Sequence, residues 1–288
     1  LIVGPLFNDE NRVIQDFSLE NKINVFNPFS NNSEVTGINP YAFLFQPSSE
    51  TMGKKSAEFL ADHIANKNCM VIYGAAKKDS VLMANFSQKA LEKGLKIVSA
   101  MKVSAREAGK ITQILATPTE YDEFKYPSQF TLRKDSIDGI LVASDDALIY
   151  SKVVSSVETR ADSIMVIGSE NWLDDTAIDL EKYQSLGIVL AAPNFVSVSD
   201  KHYQTFQKKF IRIHGRTPSN MARMGYEFMM FAGHQLKTNG VYFQEGLNNA
   251  GQSPGFIGQG YNYQFSHDNQ LVPFIKFEKG EPIVVQKR

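Results

Sequence analysis

Cysteine is all but missing from this 288-residue chain: a single copy, Cys69, excludes an internal disulfide and any metal site built from several thiolates. It stands in "NCMVIYG", a strand-like apolar run, where a small buried side chain is the plain reading. Neither sign of charge is in excess. Lys and Arg number 30 against 31 Asp and Glu, for a net charge of −1, and without a basic surface nucleic acid is excluded as the main partner. No apolar run approaches the ~20 residues of a membrane helix. Internal repeats and low-complexity linkers are absent too. The histidines are few and scattered: His63, His202, His214, His234 and His267 offer no i,i+3 or i,i+4 pair to grip a metal.

Catalytic signatures are also lacking. "GAAKKDS" at 74–80 has neither the second glycine nor the Gly-Lys-Ser/Thr ending of a phosphate loop. "IGSENW" sets Gly168 and Ser169 at the wrong spacing for a nucleophile elbow. Nothing groups a nucleophile with a base, so the chain is read as a non-enzyme that needs no cofactor or metal.

What is present is a rhythm. Apolar residues make up 43% of the chain and charged residues 21%, the balance of an ordinary globular protein. Short apolar runs ("LIVGPLF", "INVFNPF", "YAFLFQP", "CMVIYG", "LKIVSAMKV", "IDGILVAS", "SIMVIGSE", "GIVLAAPNF") alternate with amphipathic stretches of helical period. One such stretch, "SVLMANFSQKALEKG", closes at Gly94; another spans about 145–158. Strands and helices alternating at this length predict an α/β fold with doubly wound, mostly parallel sheets. "TPTEYDEFKYPSQFTLRKDS" (117–136), polar, aromatic and proline-punctuated, reads as a long exposed loop. Two long helices follow in the second half, and the tail from Tyr261 alternates in period two, predicting a hairpin element with turns at 267–269 and 279–280.

In open α/β sheets, binding residues gather in the loops at the carboxyl ends of strands. Asn8 follows Gly4-Pro5 there, and Ser30 and Asn31 follow Pro28. Short polar side chains at such starts suit an anion such as a carboxylate, and serve equally as plain helix or Asx caps. Ser144, Asp145 and Asp146 open a helix, where acids favour the positive end of the dipole, and capping alone accounts for Asp146. Glu170 follows a buried strand and precedes Trp172, an aromatic able to wall a pocket. A carboxylate so placed can accept a charge-assisted hydrogen bond from a ligand ammonium, worth roughly 1.5–3 kcal/mol. It can equally be a first-turn residue of the next helix.

Together, "LIVGPLF", "INVFNPFSNNS", "YAFLFQPSSETMGKKSAEFL", "FQKKFIRIHGRTPSNMARMGYEFMMFAG" and "GFIGQGYNYQFSHDNQLVPFIKFEKGEPIV" resemble, in order and spacing, the type 1 periplasmic binding proteins of the branched-chain amino-acid type. The resemblance implies two lobes joined by crossover strands: residues 1–46 with 192–245, and residues 47–191 with 246–288. It implies roughly 60–100 further residues ahead of Leu1, as leading strand–helix units of the first lobe, whose absence would leave a sheet edge and apolar faces uncovered. By the same resemblance Asn8, Phe29, Ser30 and Asn31 would hold a ligand carboxylate, and Glu170 its α-ammonium. Asp145 stands where the family often has a tyrosine, Lys78 near another, and Phe29 replaces a small residue and would narrow the cleft. The implied function is an extracytoplasmic solute-binding receptor, periplasmic or lipid-anchored in the cell envelope. It would close over a small polar ligand such as an amino acid and deliver it to an ABC-type membrane transporter. The departures at Lys78, Asp145 and Phe29 point to a second expectation: a non-catalytic envelope protein of the cell-wall-synthase-activator type, regulating a partner protein without a transported ligand.

Overall fold

The structure, a computed structural model, describes residues 1–5 and 10–285. Along the chain come β1 (Ile2–Val3), α1 (Asn11–Asn21), β2 (Val25–Asn27), β3 (Ala42–Leu44), α2 (Ser49–His63), β4 (Asn68–Tyr73), α3 (Lys77–Glu92) and β5 (Lys96–Lys102). Next are α4 (Gly109–Leu115), β6 (Pro118–Tyr121), β7 (Pro127–Phe130), β8 (Gly139–Ala143), α5 (Ala147–Arg160), β9 (Met165–Ser169), α6 (Leu180–Ser185) and β10 (Val189–Ala191). The remainder holds α7 (Lys201–His214), α8 (Asn220–Asn239), α9 (Gln244–Asn249), β11 (Gln252–Ser253), β12 (Tyr261–Asn262), β13 (Phe274–Glu278) and β14 (Glu281–Val284). The chain divides into two compact units, Leu1–Ser49 with Pro193–Pro273 and Glu50–Ala192 with Phe274–Arg288.

The first unit is built on the parallel sheet β1-β2-β3. Phe26, Phe43 and Phe45 from β2, β3 and the residue after it pack against Phe228, Phe231 and Ala232 of α8 in one aromatic core. Phe26 and Phe43 stack at 5.0 Å, and Tyr263 meets both edge-on. Among the described residues β1 lies at one edge of this sheet; Val3 on it, Val13 and Phe17 on α1, and Met221 and Met229 on α8 are exposed.

Residues 246–273 differ from expectation. Read from the sequence as part of the second lobe, they belong to the first unit, because Leu247, Tyr261 and Tyr263 are buried in its aromatic core. The turn expected at 267–269 closes no hairpin. Instead the His267 carbonyl accepts the Leu44 N–H at 2.7 Å, and the Asp268 carboxylate accepts the Ser48 N–H at 2.7 Å, so this segment runs beside β3.

The second unit carries a seven-stranded sheet in the order β14-β13-β10-β9-β8-β4-β5. Its five strands from β10 to β5 are parallel, and the β13–β14 hairpin adds to one side antiparallel. That hairpin turns at Lys279 and Gly280, both with positive φ, as a two-residue connection requires. β8 is buried at all five positions, which is why it reads as a continuous apolar run without alternation. The expected loop at 117–136 carries a two-stranded ribbon, β6 with β7. Arg160, fully buried at the end of α5, ties down its root: the guanidinium donates to the carbonyls of Leu115, Leu132 and Arg133 and pairs with Asp162.

Candidate functional site

Strand order singles out one place in the second unit. The connection from β4 through α3 leads outward to β5, whereas that from β8 through α5 leads the opposite way, to β9. β4 and β8 are neighbours, Tyr73 pairing with Ala143 at their carboxyl ends. That is a topological switch point, where diverging connections leave a crevice beyond the strand ends.

Three turns meet the solvent there. After β4, Gly74 leads into α3, whose first residues are Lys77, Lys78 and Asp79. A Cβ on Gly74 would collide with the Asp79 carboxylate and the Ser144 hydroxyl, so a side chain there would displace both from their present positions. After β8, the Ser144 hydroxyl accepts the Asp146 N–H at 3.2 Å and Asp146 caps α5 by accepting the Leu148 N–H at 2.9 Å. Asp145, between them, is left to face the other turns. Its Oδ2 lies 2.6 Å from Lys78 Nζ and accepts the Asn171 amide at 3.0 Å. After β9, Ser169 caps a short 3-10 turn, Glu170–Asp174, that Glu170 opens, half-buried.

The charges of these turns act on one another. Burial raises the carboxyl of Asp79; the charge of Lys78 opposes this, and those of Asp145 and Asp146 add to it. Burial alone would lower the ammonium of Lys78, but its hydrogen bond to Asp145 and the charges of Asp145 and Asp79 outweigh that and hold it above the usual lysine range. Across these turns Asp79, Asp145, Asp146 and Glu170 stand against Lys77 and Lys78, an acidic balance that suits a cationic group of a ligand.

Trp172 does not wall a pocket. It has no accessible surface: the indole N–H donates to the Ser144 carbonyl at 3.0 Å, and the ring stacks on Tyr150 at 4.6 Å. Gly168 lies beneath the ring, where a Cβ would strike it. Trp172 is a core residue that clamps the turn after β9 to the turn after β8, and so positions Asn171 and Asp145.

The candidates of the first unit lie at the end of β2, except Asn8, which is outside the described residues. Asn27 organises this end. Its side chain donates to the Pro5 carbonyl at 2.6 Å and accepts the N–H groups of Phe29 at 3.0 Å and Ser30 at 2.8 Å. These two N–H groups are therefore already satisfied within the turn. The Ser30 hydroxyl accepts the Asn32 N–H at 3.1 Å, and the Asn31 carbonyl accepts the Ser49 N–H at 2.9 Å. Phe29 remains 47% exposed, and Asn31 is exposed with no side-chain partner among the described residues. Of this group, Phe29 and Asn31 have side chains available to a ligand.

The structure thus brings together Asp145 with Lys78 and Asn171, places Glu170 in the adjoining turn, and sets Ser30 and Asn31 in a turn of the other unit. Sequence reasoning missed Asn27 and Asp79 as organisers. The Asn27-Pro28 dipeptide, a turn initiator, was the signal for the first; Asp79 gave none, being one acid in a polar connection. Among the described residues, no three His, Cys, Asp or Glu side chains group as metal ligands.

No family model matches the chain, and no curated protein does. Solved structures do. The chain is similar to an ABC transporter substrate-binding protein from Desulfitobacterium hafniense in complex with Leu, at 17% identity and a TM-score of 0.63, over 98% of this chain and 79% of that one. A putative branched-chain amino acid ABC transporter from Rhodospirillum rubrum aligns at 16% identity and a TM-score of 0.65, over 93% and 74% of the two chains. A branched chain amino acid ABC transporter from Thermus thermophilus with bound valine aligns at 12% identity and 0.62, over 98% and 76%. The fold is that of the type 1 periplasmic binding proteins.

Proposed function

We propose that this chain, built on the type 1 periplasmic binding protein fold, is an extracytoplasmic solute-binding receptor that closes its two lobes over a small polar ligand, an amino acid or similar. The observation that carries the proposal is the acidic balance of the turns at the switch point of β4 and β8. There Asp145 and the adjoining Glu170 would receive the ligand's ammonium, while Asn8 and Asn31 of the other lobe would hold its carboxylate. Closure follows because the ligand contacts both lobes in the closed state alone, and so shifts the population toward it. Delivery to an ABC-type membrane transporter, a periplasmic or cell-envelope location and a lipid anchor belong to the same proposal. No helix among the described residues is long and apolar enough to cross a membrane.

The test is thermal unfolding against a panel of amino acids. A ligand at about 100 times its Kd adds roughly 2.7 kcal/mol to the folded state, and Glu170→Gln removes the response. Full retention of the response in that variant takes Glu170 out of the site.

One observation favours a second reading. The Asp145 carboxylate is already engaged by Lys78 and Asn171, so the crevice satisfies part of its own charge without a ligand. A panel with no response at all supports an envelope protein that keeps the fold and acts on a protein partner through its surface.

A further inference from the structure

We propose that the groove along α7 and α8 of the first unit is a second ligand site, for a small organic carboxylate with an aromatic or branched aliphatic body. The groove encloses about 420 Å³, within the range of roughly 300–1,000 Å³ typical of small-molecule sites. Its walls are aromatic: Phe206 and Phe210 from α7, Tyr226 from α8, and Phe256. The Phe206 ring lies 4.4 Å from Tyr226 and 5.7 Å from Phe210, a packed surface into which a flat or branched apolar body can settle.

The rim fixes the other end of the ligand. Lys209, His202 and His214 line the groove, and no carboxylate does. Helix α7 carries Lys201, Lys208, Lys209 and Arg212 and no Asp or Glu from Lys201 to His214. In a chain of net charge −1 this positive charge is local to the helix. The nearest acid in sequence, Asp200, is engaged at the helix start, accepting the N–H groups of His202 and Tyr203 and lying 3.6 Å from the His202 ring. Lys209 is the one formally charged residue among those lining the trough, and the nearby Glu227 carboxylate is buried and engaged by the N–H groups of Phe256 and Ile257. The trough therefore complements an amphipathic anion, body inward and carboxylate toward Lys209. Its concavity does not match a flat lipid surface. The groove lies wholly within the first unit and shares no residue with the switch-point crevice, so its test is independent of the receptor proposal.

The probe is 2-naphthoate, titrated into the isotopically labelled chain and followed by amide chemical shifts, with the neutral 2-naphthalenemethanol beside it. Expected are saturable shifts centred on 201–214, 226–230 and 256, with the alcohol at least about tenfold weaker, the share of one charge-assisted hydrogen bond. Lys209→Glu, an exposed substitution, weakens naphthoate by a similar factor at an unchanged unfolding midpoint. Phe210→Ala, on the partly covered wall, weakens both probes. Shifts gathered at the ends of β4 and β8, equal affinity for both probes, or unaltered binding by Lys209→Glu overturn the proposal. So does Lys209-dependent sedimentation with phosphatidylglycerol vesicles in the absence of naphthoate binding, which would make α7 a membrane-docking helix.

Discussion

Lys78 Nζ lies 2.6 Å from the Asp145 carboxylate, a side-chain contact that links the turn after β4 to the turn after β8. Both side chains are partly exposed, at 46% and 29%. Ion pairs in that setting contribute about 0–1 kcal/mol, so the pair matters for what it occupies more than for what it stabilises. Lys78→Met is therefore expected to change the free energy of urea unfolding by less than about 1 kcal/mol. It frees an oxygen of Asp145, and any thermal response to amino acids should grow. A smaller response in the variant would mean that Lys78 itself holds the ligand.

Asp79 sets a pH dependence. Its carboxyl is raised, first by burial, so the folded state binds this proton more tightly than the unfolded one. The contribution is fully present below the ordinary carboxylate pKa and is lost as pH rises through the raised one. Asp79→Asn, neutral throughout, should be more stable than the parent at pH 7, with the difference shrinking toward acid. Urea midpoints measured at both ends of that window check the sign; a difference growing toward acid contradicts it.

Gly168 and Trp172 form a matched pair. Gly168→Ala puts a methyl group into the indole ring, and overpacking of this kind costs about 1–3 kcal/mol. Trp172→Ala should cost about 3–5 kcal/mol and also orphan the Ser144 carbonyl. Near-ultraviolet circular dichroism gives a direct check, since Trp172 is the single tryptophan in the chain.

Glu227 is the polar centre of the first unit. Buried on α8, its carboxylate accepts the N–H groups of Phe256 at 2.8 Å and Ile257 at 2.7 Å and the Tyr261 hydroxyl. Glu227→Ala strands buried donors at about 1–3 kcal/mol each, so a total loss of roughly 3–5 kcal/mol is expected in chemical unfolding. The loop at 255–258 should lose amide-exchange protection with it. Preserved protection would mean that other contacts hold the loop.

Arg160 and Asp162 are both buried, with side-chain exposures of 0% and 3%. Removing one charge leaves the other uncompensated, so Arg160→Met should cost about 3–5 kcal/mol. Arg160→Met with Asp162→Asn should lose less, because neither charge remains. Lysine at 160 is no substitute, since one ammonium cannot reproduce a fork that meets Asp162 and three carbonyls.

The element types were legible in the sequence because they depend on neighbours a few residues apart. β8 and β9 are written as apolar runs, α3 as a helical period ending before Gly94, whose φ is 73°, and Asp146 as a cap. The alternation of these elements implies the parallel α/β fold, and with it the strand ends where binding residues gather.

Tertiary structure alone decided the partnerships. Trp172 looks the same in sequence whether it faces a pocket or a core; the absence of a side chain on Gly168 and the carbonyl of Ser144 put it inside. Period two in the tail does not say which sheet it joins. Tyr261 and Tyr263 went to the aromatic core of the first unit and Phe274 onward to the sheet of the second. Lys78 and Asp145 lie 67 positions apart, and their contact exists because β4 and β8 are neighbours. Local periodicity fixes which faces are apolar, whereas which faces meet depends on burial summed over the whole chain.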